Sequence, residues 1–168
     1  GGAGPGGGPD PGAVVGIHNL SRDYALHKLS NSPLVKLRKS LGPDSVRLIY
    51  MAHNPETQVS DRLRLGVPLP EAREYARDRL TDAFLGLEEG IRFDLIDGYG
   101  VCSNGLSLPK SHPLHVPWLD VLGASSDAVQ QLHGDDDDAL ELGNDVTGTS
   151  LREKMTSGLR GVQLPANV

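Results

Sequence analysis

The 168 residues carry 22 acidic and 16 basic side chains, a formal charge of −6 with no Lys/Arg cluster. That excludes the concentrated positive charge on which nucleic-acid and anionic-membrane surfaces rely. The chain can bury one ordinary core, and at 168 residues it is too short for a complete eight-fold βα barrel, which needs about 250. Low apolar (38 %) and aromatic (4 %) fractions, with 21 glycines and 12 prolines, make the packed part smaller than the chain. No run approaches the ~20 apolar residues of a membrane span. A lone Cys102 leaves no internal disulfide framework, so a soluble, intracellular protein is expected. The N-terminus shows neither Met nor a signal-peptide pattern and reads as processed or truncated.

Residues 1–17 are dense in glycine and proline and read as a flexible tail; a phosphate-cradling loop there would need a preceding strand and a following Lys-Ser/Thr, and has neither. Ser21 is an N-cap for a helix carrying Leu26, Leu29, Leu34 and Leu37 and finishing before Gly42, with Pro33 splitting it in two. His18 and His27 on this segment take no role. Ser45 to His53 then reads as a strand, apolar on most of both faces and therefore internal, which Pro55 stops at about His53. An ionisable imidazole thus stands at the C-terminal end of a strand, where α/β folds hold ligands.

A loop through Pro68 follows, then Pro70 and Glu71 open a helix. Ala72, Tyr75, Ala76, Leu80, Ala83, Phe84 and Leu87 form its one buried stripe, and Arg73, Glu74, Arg77, Asp78 and Arg79 a solvated face. Leu95 to Val101 reads as the next strand, parallel to the first across a βαβ crossover. His112 and His115 invite a metal, yet Pro113 and Pro117 oppose a regular helix and no Cys or carboxylate matches their spacing. Trp118, Leu119, Val121 and Leu122 open a packing helix. The acidic run 134–138 reads as lacking regular structure, within a disordered insertion at 133–148. Ser150 to Glu153 forms a capping box, and Leu159 to Leu164 the last strand.

Three stretches in order resemble one family. Leu41 to Glu56 resembles the fourth barrel strand of the aldo/keto reductases, Tyr99-Gly100-Val101-Cys102-Ser103-Asn104 the fifth, and Gly161 to Asn167 the sixth. The likeness spans residues 18–168 and implies a partial (β/α)8 TIM barrel with parallel strands and crossover helices. In the resemblance the motifs converge on one pocket. His53 matches the histidine that donates to a substrate carbonyl oxygen. Cys102, Ser103, Asn104 and Gln163 match positions that hold the nicotinamide carboxamide of NADP(H), Cys102 standing where a serine is common.

The family's proton-donating tyrosine, with its lysine and aspartate, has no matching motif here, and neither do its phosphate-binding strands. Two functions follow. One is an NADP(H)-dependent oxidoreductase of carbonyl or alcohol substrates, seen as an incomplete barrel. The other is a catalytically inactive barrel-like subunit held by protein partners in an assembly, with His53 structural and Gln163 satisfying backbone groups at the rim.

Overall fold

The computed structural model describes residues 20–42, 44–137 and 157–164. In order they form α1 (Arg22–Asn31), α2 (Pro33–Leu41), β1 (Ile49–His53), α3 (Glu56–Arg64), α4 (Leu69–Arg92), β2 (Gly98–Cys102), a 3₁₀ turn (Gly105–Ser107), α5 (Trp118–Asp137) and β3 (Leu159–Gln163). The strands make one parallel sheet in the order β1-β2-β3, with β2 central. Strands of one direction require crossovers, and helices supply them, so the chain is α/β. The expected tail at 1–17, His18 and the capping box at 150–153 lie outside the described residues.

Local signals set the helix ends. Ser21 Oγ accepts from Tyr24 N and caps α1. Ser32 closes α1 through its own N–H to Leu29 O and caps α2 by accepting from Val35 N, with Pro33 at the first helical position. Gly42, at φ 98°, ends α2 in a conformation that only glycine adopts without strain.

Helix α4 is the centre of the helical layer, packing against α1, α3 and α5. Its first half buries one stripe through Ala72, Ala76 and Leu80, as the periodicity predicts. From Ala83 to Gly90 every residue is buried, because α1 and the sheet close over both sides. Phe84 meets Tyr99 ring to ring at 4.8 Å, and Tyr99 and Val101 on β2 are fully buried under α4. Gly86 is where α1 crosses: a Cβ there would stand 2.6 Å from Arg22 O. Gly86→Ala is expected to destabilise, since up to ~1 kcal/mol of helix propensity is outweighed by about 1–3 kcal/mol of overpacking against backbone. A urea midpoint raised by this substitution would show that α1 moves freely.

Several expectations need correction. Among the described strands the first is an edge and not internal, and Ile49 is 46 % exposed. Its alternating residues Ile49, Met51 and His53 occupy the sheet face away from the helices, which no described element covers. Nor does it begin at Ser45, because Leu48 N donates 2.6 Å to Asp97 Oδ2 while Asp97 Oδ1 takes Arg38 at 2.9 Å. That clamp holds the start of both strands and delays β2 to Gly98. The stretch after Pro55 is helix α3 instead of loop. Lastly, α5 runs through Asp137, so residues 134–137 are helical instead of irregular. Buried Ala124 and Ala128 with half-buried Leu132, four apart, carry the helix into the acidic run; the rest of the expected insertion lies outside the described residues.

Candidate functional site at the strand ends

The parallel register decides what meets at the C-terminal edge of the sheet. His53 pairs with Cys102 and Cys102 with Gln163, so the last residues of all three strands form one row. The ladder extends one step further: Asn54 N donates to Cys102 O at 2.7 Å and Ser103 N to Gln163 O at 3.2 Å. Side chains in one row of a parallel sheet share a face, and this is the face opposite α4. Its floor is narrow in side chains. A Cβ on Gly100 would stand 2.9 Å from Met51 Sδ and 2.6 Å from Gly161 O, so glycine is required for Met51 to lie across β2.

After His53 the chain turns sharply. Asn54 takes φ 51°, a left-handed conformation that asparagine tolerates better than most residues, and Pro55 leads into α3. This turn places Glu56, only 6 % exposed, in the first turn of α3, where the helix dipole favours negative charge. Glu56 Oε2 accepts from Ser103 Oγ at 2.6 Å and Oε1 from Asn104 N at 3.1 Å. One carboxylate thus ties the turn after β1 to the turn after β2. Glu56 was not singled out from sequence as a site residue; its signal is an acid directly after the proline that stops a strand.

The structure places the sequence-expected residues as follows. His53 is exposed at the rim, Cys102 half-buried beside it, Gln163 exposed on the far strand, and the Asn104 side chain exposed just beyond β2. Ser103 departs from its expected role. Its hydroxyl is fully buried and its proton is donated to Glu56, so it holds the rim together and is not presented to a carboxamide. Glu56→Ala is expected to cost about 2–4 kcal/mol in urea unfolding, since removing an acceptor from two donors costs about 1–3 kcal/mol each. Glu56→Gln, which keeps a carbonyl acceptor, recovers part of it; equal losses in both would exclude the hydrogen bonds as the cause.

None of the four tyrosines stands at a strand end. Tyr99 lies inside, its hydroxyl held by Glu88, Ser125 and Ser157. Burial first, then the charge of Glu88, push it far above the ordinary phenol range, against the lowering effect of the two serines. Tyr50, second residue of β1, is also raised, by burial and then by neighbouring Tyr24. Tyr24 is within cation–π reach of Lys28, and Arg62 lies 3.6 Å from the ring centre of Tyr75.

The two histidines of the loop before α5 serve the loop itself. His112 Nδ1 accepts from Leu114 N at 3.1 Å, and His115 Nδ1 lies 2.8 Å from Leu108 O. Among the described residues no three His, Cys, Asp or Glu side chains converge as metal ligands, and no helix is long and apolar enough to cross a membrane.

No protein-family model matches the chain, and comparison with curated proteins and with solved structures finds no match either.

Proposed function

We propose that this chain contributes the substrate-orienting and carboxamide-holding rim of an aldo/keto reductase-type oxidoreductase, NADP(H)-dependent and acting on small carbonyl or alcohol substrates, and that its three strands are part of a (β/α)8 barrel. The observation that carries the reading is the single row His53–Cys102–Gln163 at the C-terminal edge of a parallel sheet, with Asn104 one turn beyond it. Ligands of α/β folds gather at that edge.

The side chains present suit the chemistry. When bound, the dinucleotide supplies the hydride. A carboxamide offers one acceptor and two donors, and the exposed primary amides of Asn104 and Gln163 can each answer both. His53, exposed on the same face, can donate N–H to a carbonyl oxygen on which charge grows as the carbon is reduced. Cys102 between them gives only a weak donor.

A second reading, a barrel-like structural subunit bound to protein partners, is favoured by one observation: no tyrosine among the described residues reaches the rim. An assay of NADPH oxidation with a panel of aldehydes and ketones separates the two. The protein in which this sequence occurs naturally should turn over, whereas the 168-residue chain by itself should not, since no tyrosine among its described residues stands at the rim to donate the proton. No turnover by the natural protein with any carbonyl would remove the oxidoreductase reading and leave the structural one.

A further inference from the structure

The sheet face away from the helices gathers soft metal ligands at its C-terminal end. Met51 and His53 are two apart on β1 and share that face, and His53 pairs in register with Cys102, the chain's one cysteine. Register partners on neighbouring strands stand about 4.8 Å apart, so the imidazole and the thiol are direct neighbours. Met51 belongs to the same group. Its Sδ is 2.9 Å from where a Cβ of Gly100 would be, so its side chain has left β1 and lies over β2, two residues before Cys102. The diagonal from position 51 to position 102 is about 7–8 Å between Cβ atoms, a span that a methionine and a cysteine side chain close between them.

These groups are also unengaged. Among the described residues neither the His53 imidazole nor the Cys102 thiol has a hydrogen-bond or ionic partner, whereas His112 and His115 each engage the backbone through a ring nitrogen. Met51 and Cys102 are half-buried and His53 is exposed, so a small ion reaches all three from the strand ends. Glu56, the acid of this rim, is bound to Ser103 and Asn104. The set therefore offers one thiolate, one thioether and one imidazole, and no oxygen.

We propose that Met51, His53 and Cys102 bind one monovalent copper ion. Thiolate and thioether sulfur select Cu(I), imidazole suits copper as well, and the hard cations Mg, Ca and Mn want the oxygen ligands that are missing. On binding, the Cys102 thiol releases its proton to solvent, the two sulfurs and one imidazole nitrogen each donate a pair to the ion, and its oxidation state is unchanged. Zinc takes thiolate and imidazole but draws its ligands from Cys, His and carboxylates, so Met51 adds nothing for it. The site stands whether or not the chain is part of an oxidoreductase; where it is, copper and the carbonyl oxygen compete for His53.

Anaerobic competition between the reduced 168-residue chain and bicinchoninate, a coloured Cu(I) chelator, tests it. Withdrawal of one equivalent of copper per chain is expected. Cys102→Ser, His53→Ala and Met51→Leu, none at a fully buried position, should keep the far-ultraviolet circular dichroism of the parent. Each should weaken Cu(I) binding by ~10–100-fold or more, since even loss of an outer-shell partner costs that much. Met51→Leu should leave Zn(II) affinity unchanged. Silver(I), a redox-inert stand-in, should shift the methionine methyl resonance that Met51→Leu removes. A chelator that keeps all the copper overturns the proposal, and so does Cu(I) affinity that survives Met51→Leu or Cys102→Ser unchanged. One copper per two chains would overturn it too, by showing a thiolate bridge between copies in place of a site within one.

Discussion

Glu88→Ala is expected to lower the unfolding free energy by about 2–4 kcal/mol, because this buried carboxylate ties the residue before β3 to α4 and β2. Its Oε1 accepts from Tyr99 OH at 2.7 Å and from Gly158 N at 2.8 Å. Gly158 in turn accepts from Tyr99 N at 3.0 Å, and a Cβ on it would stand 2.0 Å from Ile91 Cδ1, so the chain passes hard against α4 just before β3. Truncation leaves the Gly158 amide without an acceptor and the Tyr99 hydroxyl with only Ser125 and Ser157. Glu88→Gln keeps an acceptor and should recover the larger part. Urea unfolding measures the loss, and hydrogen exchange at Gly158 and Leu159 locates it; unchanged protection there would deny Glu88 this role.

The same cluster makes stability fall at high pH. The phenol of Tyr99 is raised in the folded state, so above about pH 10 the unfolded chain releases a proton that the folded chain keeps. The unfolded state then binds fewer protons and stability declines with pH, by about 1.4 kcal/mol per unit for a single group. This contribution is fully present below the unfolded value. Tyr99→Phe should make the alkaline decline shallower, and an identical slope in the variant would place the effect elsewhere.

Backbone chemistry was the most legible part of the sequence. Ser21, Pro33 and Gly42 each act within a turn of their own position, so the split between α1 and α2 follows from the residues themselves. The parallel βαβ order follows from the succession of strand, helix and strand; that His53, Cys102 and Gln163 share one sheet edge was implied by the resemblance, and the register makes them a row. What tertiary contacts decide was hidden. Helix α3 has only Val59 and Leu63 as apolar positions and little periodicity to announce it; it is held by packing on α4 and by Glu56 reaching across to Ser103. The apolar run at β1 shows two greasy faces but cannot show that, among the described residues, only one has a covering layer. Ser103 was expected in the pocket from the resemblance, yet the acid 47 positions earlier accepts its hydrogen bond. Tyr99 lies in a strand in either reading; its burial beneath Phe84 comes from the crossing of α4.

On the oxidoreductase reading proposed above, His53→Ala is expected to reduce kcat/KM for carbonyl reduction by about 10²–10⁴-fold, the range typical for loss of a positioned proton-sharing group. The argument rests on when the interaction forms. A donor aimed at a carbonyl oxygen binds a neutral dipole in the ground state and a developing oxyanion at the barrier, so its loss falls on kcat more than on substrate affinity. Asn104 and Gln163 should behave differently. On the same reading their primary amides would hold a carboxamide that stays neutral during the reaction, so Asn104→Ala and Gln163→Ala should raise KM for the dinucleotide while largely sparing kcat. Cys102→Ser exchanges a poor donor for a good one in the middle of the row and should lower that KM. Steady-state kinetics with varied dinucleotide and varied carbonyl separates these effects. If His53→Ala left kcat unchanged while Gln163→Ala still raised KM, the row would be a binding rim alone, and the group facing the carbonyl oxygen would have to lie outside this chain.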